Sequence, residues 1–97
     1  MNWYKTAQEK IKIYRALPAS TTVIRTKDYI TLSLRFANEH AVTSAIYNGE
    51  PFYVVTAIVN KSDLEEATNP GEYFYMGKPI EAKPIQIANE DGDWENV

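Results

Sequence analysis

The sequence predicts an α+β fold, a mainly antiparallel sheet with one main helix and a short N-terminal helix. Residues 34–46 place Leu34, Ala37, Ala41 and Ala45 at spacings of three and four, the stripe of a helix that buries one face. Residues 52–59 read Phe, Tyr, Val, Val, Thr, Ala, Ile and Val, apolar on both faces and so suited to a central strand. The remaining apolar stretches are short and parted by turn residues, giving the order helix, strands, helix, strands rather than strict strand–helix alternation.

In chain order, Trp3, Tyr4, Ala7 and Ile11 approach the spacing of one helical face, so residues 3–10 are expected to make one or two helical turns. Residues 11–17 alternate apolar and polar as a strand, with Ile11, Ile13 and Arg15 on one face, and Pro18 stops it. Residues 21–24 are all β-branched and predict a short strand. Residues 25–28 form a polar turn and residues 29–33 another strand. Ser33 then caps the main helix, which Asn48-Gly49 ends because glycine enters the left-handed region at low cost. After the central strand, Ser62 and Glu65 have capping-box spacing for a short helical turn anchored by Leu64. Asn69-Pro70-Gly71 is a turn, residues 72–77 a strand, and residues 79–87 an edge strand interrupted at Pro84. One domain is expected over residues 1–88, followed over 89–97 by an acidic tail that frays, with Trp94 free to dock on the body.

Composition excludes several functions. With 97 residues the chain allows one domain, and 44% hydrophobic against 24% charged residues is globular rather than disordered. There is no Cys, hence no disulfide, thiolate nucleophile or cysteine metal site, which fits a reducing, cytoplasmic setting. No run of 18 apolar residues is present, so no membrane partner is expected, and the first ten residues lack a continuous apolar signal stretch. Net charge is -3, with the basic residues concentrated in the first 35 positions. That half suits an anionic ligand or an acidic partner, while the overall acidity argues against a dedicated nucleic-acid binder.

Most familiar chemical motifs are missing. Four dispersed Gly make neither a P-loop nor a dinucleotide-binding turn. One His and no Cys spell out no metal site. Ser33 and His40 lack the nucleophile elbow of a hydrolase triad, Asp91-Gly92-Asp93 lacks the other oxygen ligands of a calcium loop, and no carboxylate spacing marks a glycosidase.

Three segments remain. They are Tyr14-Arg15-Ala16 on the first strand, Asp28 to Ala41 with Thr31-Leu32-Ser33 entering the helix and Phe36-Ala37 followed by His40-Ala41, and Asn69-Pro70-Gly71-Glu72-Tyr73 before a late strand. Together they resemble the ADP-ribosyltransferase superfamily, in particular its arginine–serine–glutamate branch and its small phage and bacterial relatives, over residues 11 to about 80. The resemblance implies NAD as substrate, with Arg15, Ser33 and Glu72 as the catalytic trio. Arg15 would hold the pyrophosphate, since a guanidinium makes a charge-assisted fork to phosphate oxygens. Ser33 would hydrogen-bond within the site and hold the nicotinamide end, or help orient the glutamate. Glu72 would bind the ribose hydroxyls and stabilise the positive charge that develops as the glycosidic bond opens. Tyr29, Phe36, Tyr47 and Tyr53 are candidates to stack on nicotinamide or adenine. Pro70 stands where arginine-modifying members carry Glu or Gln, which leaves another acceptor or NAD hydrolysis.

Each residue also has a structural role open to it: Arg15 as a salt-bridging strand residue, Ser33 as an N-cap, Glu72 as a turn acid. His40, off the strongest stripe, reads as a partly exposed structural residue. Two other functions stand beside the enzyme. One is a small interaction protein that binds a host protein through Trp3, Tyr4, Tyr73 and Tyr75. The other is a nucleic-acid accessory protein using the basic N-terminal half.

Overall fold

The structure, a computed structural model, describes residues 9–97. The helical turns expected over residues 3–10 lie outside these apart from Glu9 and Lys10, and Lys10 already belongs to a strand. Strands β1 (Lys10–Pro18), β2 (Val23–Ile24) and β3 (Tyr29–Thr31) precede the helix α1 (Leu34–Asn48). After it come β4 (Phe52–Asn60), β5 (Leu64–Glu66), β6 (Glu72–Tyr75), β7 (Ile80–Glu81), β8 (Lys83–Ala88) and β9 (Trp94–Asn96). A seven-stranded sheet runs β5-β6-β3-β1-β4-β8-β9, and β2 pairs with β7 in a separate ribbon. The pairings are antiparallel, as expected of this α+β domain with one main helix.

The two faces of β1 and β4 explain the layering. Their register sets Ile13 opposite Ala57, Leu17 opposite Tyr53 and Ile11 opposite Val59. On that face Ile13, Leu17, Val55 and Val59 are buried with Ile24 of the β2–β7 ribbon, Ile30 and Tyr75. On the other face Val54, Phe52 and Ala88 meet the stripe Ala37, Ala41 and Ala45 of α1, with Tyr14, Ala16, Val42 and Ile85 at the margin. Alanines let the helix lie close to the sheet, and each fully buried Ile or Val adds about 1.5–3 kcal/mol. Ser33 caps α1 by accepting from the Phe36 amide at 3.1 Å, and Gly49 ends it at φ 67°, its N–H bonded to the Ala45 carbonyl.

Three local expectations are corrected. Ser62 and Glu65 do not form a capping box. Lys61–Asp63 make a single 3-10 turn, preceded by Asn60, and Leu64–Glu66 pair with β6 as a strand. Ladder bonds outweigh a local cap there, although Leu64 does meet the core. Residues 79–87 are not one edge strand. Ala82 separates β7 from β8, and β8 lies inside the sheet between β4 and β9. Pro84 is tolerated within β8 because the register with β4 shifts between Val54 and Val55, a bulge that relieves its missing amide. Residues 89–97 do not simply fray. The Asn89 side chain accepts from the Asp91 and Asp93 amides, and the chain returns so that Trp94, Glu95 and Asn96 pair with Ala88, Ile87 and Gln86.

Candidate functional site

The helix does not cover the whole sheet. It lies over β1, β4 and β8, and only its first turns approach β3. The same face of β3 and β6 is left open, and a cleft of about 390 Å³ occupies it. That volume is at the small end of the range for small-ligand sites, roughly 300–1,000 Å³.

Three adjacent strands supply the floor of the cleft. Tyr14 pairs with Thr31, and Thr31 pairs with Glu72. Directly opposed residues of antiparallel strands point to the same face, so these three side chains form one row on the helix side, and all three line the cleft. Thr31 is 7% exposed, and its hydroxyl accepts from the Ser33 amide at 3.1 Å. Phe36, Ala37 and His40 form the helix wall, and Thr68 and Asn69, from the loop before β6, form the far wall. Asn69 Nδ2 donates to Glu72 Oε1 at 2.8 Å. Tyr29 lines the rim, its ring tilted 36° to that of Phe74 with centroids 4.6 Å apart.

Arg15 enters differently. It alternates with Tyr14 and Ala16, so it leaves β1 on the opposite face, in the row of Ile13 and Leu17. β1 and β3 share one registered pair, Tyr14 with Thr31. Arg15, Ala16, Tyr29 and Ile30 lie beyond that pair and line the cleft as well. An amino group of Arg15 donates to the Tyr29 carbonyl, and Nε lies 3.5 Å from Asp28 Oδ2. That contact satisfies charge but not hydrogen-bond direction, since the buried Nε has no hydrogen-bond partner. Burial pushes the Arg15 pKa down, and the Asp28 carboxylate partly restores it. Asp28 is itself fixed, because Oδ2 also accepts from the Arg25 amide at 2.8 Å.

No protein-family model, curated protein or solved structure matches this chain. The site therefore rests on its own geometry.

Of the residues expected from sequence, Arg15, Tyr29, Phe36 and Glu72 line one cleft. Ser33 is absent from its lining, and its hydroxyl is engaged by the Phe36 amide as the helix cap. Tyr47 is 89% exposed near the end of α1, and Tyr53 packs against the core on the opposite sheet face. Neither lines the cleft. Tyr75, one of the aromatic residues expected to form an interaction patch, is buried at 3% exposure, and Trp3 and Tyr4 lie outside the described residues.

Tyr14, Thr31, His40 and Asn69 line the cleft without having been singled out as site residues. Two of them left a readable trace. Thr31 shares the parity of Tyr29 along β3, whereas Ser33 falls beyond the strand end. His40 follows Phe36 by four positions, on the strip beside the buried alanines. Among the described residues no group of three or more Asp, Glu or His side chains is gathered to hold a metal, and no helix is long and apolar enough to cross a membrane.

Proposed function

We propose that the protein is an ADP-ribosyltransferase-like enzyme that binds the nicotinamide ribose end of NAD in this cleft and breaks the glycosidic bond. The observation that carries the reading is the row Tyr14–Thr31–Glu72 beneath Phe36 and His40. It sets a carboxylate, a hydroxyl and aromatic rings around a hollow of about 390 Å³. In this reading the C1′–N bond breaks, and its electron pair leaves on nicotinamide. The acceptor's nucleophilic atom, or the oxygen of water, bonds to C1′ and releases a proton. Glu72 accepts hydrogen bonds from the ribose hydroxyls and stabilises the cationic sugar, a charge present mainly in the transition state.

The rest of the dinucleotide lies outside the hollow, over the Tyr29 and Phe36 rings, which are 53% and 46% exposed. Arg15, the one Lys or Arg among the lining residues, leaves β1 on the other sheet face and is held by the Tyr29 carbonyl and Asp28, so in this reading it serves the diphosphate only by turning its guanidinium from Asp28 toward the cleft. Thr31 takes the place first expected of Ser33 as the hydroxyl at the nicotinamide end. Pro70 offers no side chain to activate an arginine acceptor, so the reading favours water or another acceptor, in a cytoplasm where NAD is abundant.

Isotopically labelled NAD tests this. Wild type is expected to release nicotinamide, with Glu72→Gln (E72Q) losing roughly 100-fold or more in rate while still binding NAD. A wild type with neither NAD binding nor turnover overturns the enzyme and favours a non-catalytic protein that binds a host partner.

A further inference from the structure

Glu72 does not end in a free loop. Its amide donates to the Asn69 carbonyl at 3.2 Å, closing the turn Asn69-Pro70-Gly71-Glu72. Pro70 fixes φ at the second position, and Gly71 takes φ 80° at the third, the requirements of a type II turn. The Glu72 carbonyl accepts from the Ala67 amide at 3.1 Å, so its main chain is held on both sides. Only the side-chain torsions are then left to aim the carboxylate, and these are broad at the terminal bond of a Glu.

Asn69 removes that freedom. The residue whose carbonyl closes the turn also donates from Nδ2 to Glu72 Oε1 at 2.8 Å. A neutral amide suits this task. It contributes a donor without adding a charge beside the one expected to stabilise a cationic sugar, and it leaves the second oxygen, Oε2, to meet a ligand hydroxyl.

We infer that Asn69 is a positioning residue that fixes the plane of the Glu72 carboxylate toward the ribose hydroxyls. This rests on the glycosidic-cleavage reading above. Asn69 itself touches no reacting atom. Its effect is to hold Glu72 in the orientation needed at the transition state, a place where small misalignments are costly.

The test is steady-state nicotinamide release by Asn69→Ala (N69A), Asn69→Asp (N69D) and Asn69→Ser (N69S), beside wild type and E72Q, with circular dichroism of each. N69A is expected to lower kcat roughly tenfold with KM within about twofold of wild type. N69D keeps the shape but cannot donate when ionised, and it sets a like charge beside Glu72, so it is expected to fall further. N69S keeps a donor and recovers part of the rate. If N69A and N69D turn over like wild type while E72Q does not, the positioning role is wrong and the enzyme reading stands. If wild type releases no nicotinamide, both fall. Should N69A fail to fold, the comparison of N69S with N69D decides, and equal rates in those two overturn the inference.

Discussion

Arg15 crosses the gap between β1 and β3 to donate to the carbonyl of Tyr29, where the two strands have ceased to pair. A side chain there takes over part of the work of a ladder bond, while Asp28 holds its charge. Replacing Arg15 by Ala leaves that carbonyl without its donor and Asp28 without its ion pair. Arg15→Ala is expected to lower stability by about 1–3 kcal/mol in urea unfolding, and Arg15→Lys by less, because an ammonium keeps the charge but not the fork.

The same contact sets an expectation for ligand binding. If Arg15 serves the diphosphate of NAD, Asp28 competes for it. Asp28→Asn (D28N) keeps an oxygen for the Arg25 amide but removes the competing charge. Calorimetric titration is expected to show NAD or ADP bound roughly fivefold more tightly, equivalent to about 1 kcal/mol. The advantage should shrink as salt rises, since the site is partly open to solvent. Unchanged affinity would remove Arg15 from the binding of phosphate.

Ser33 and Thr31 separate stability from activity. Ser33→Ala removes the N-cap of α1 and is expected to cost about 1 kcal/mol of stability, read from denaturant midpoints, with nicotinamide release retained. Thr31→Ala removes the hydroxyl of a cleft-lining residue, which also accepts from the Ser33 amide, and is expected to reduce turnover more than Ser33→Ala does at a comparable cost in stability. The opposite ranking would restore Ser33 as the residue at the nicotinamide end.

Tyr75 gives a pH dependence. Its hydroxyl donates to the Lys78 carbonyl, and burial, with Asp63 nearby, raises its pKa above the ordinary 10.0. The neutral phenol is thus the form the fold favours. Its contribution is complete below about pH 10 and is lost as pH climbs toward the raised folded-state value. Urea titrations from pH 8 to 11 should show wild type losing more stability at the alkaline end than Tyr75→Phe, which starts lower by about 1 kcal/mol for the missing hydrogen bond.

The sequence showed the helix and the central strand clearly because both are repeated patterns. The alanine stripe and Gly49 bounded α1, and the run from Phe52 marked β4. The edges were harder to read. Leu64–Glu66 is a strand because β6 lies beside it, and Trp94–Asn96 because β8 does, and neither neighbour is written locally. The cleft divides in the same way. Glu72, Arg15, Tyr29 and Phe36, which the resemblance to ADP-ribosyltransferases implies, line one cleft. The alignment of Tyr14 with Thr31 and Glu72 is a matter of register between strands 17 and 41 positions apart, which no local pattern encodes. Ser33 caps the helix and does not line the cleft, and a hydroxyl before a helix suits either role by sequence alone.

The single registered pair between β1 and β3 divides the sheet mechanically. On one side β1, β4 and β8 are laced by long ladders beneath the helix, and on the other β3, β5 and β6 form a short wing. Such a seam is expected to yield more readily than the long ladders, with amide hydrogens exchanging with solvent sooner than those of β4. The proposed ligand would sit astride it, so occupancy would be felt first as a stiffening between the two halves, and slowed deuterium uptake in β3 and β6 would report a bound molecule before any product is formed.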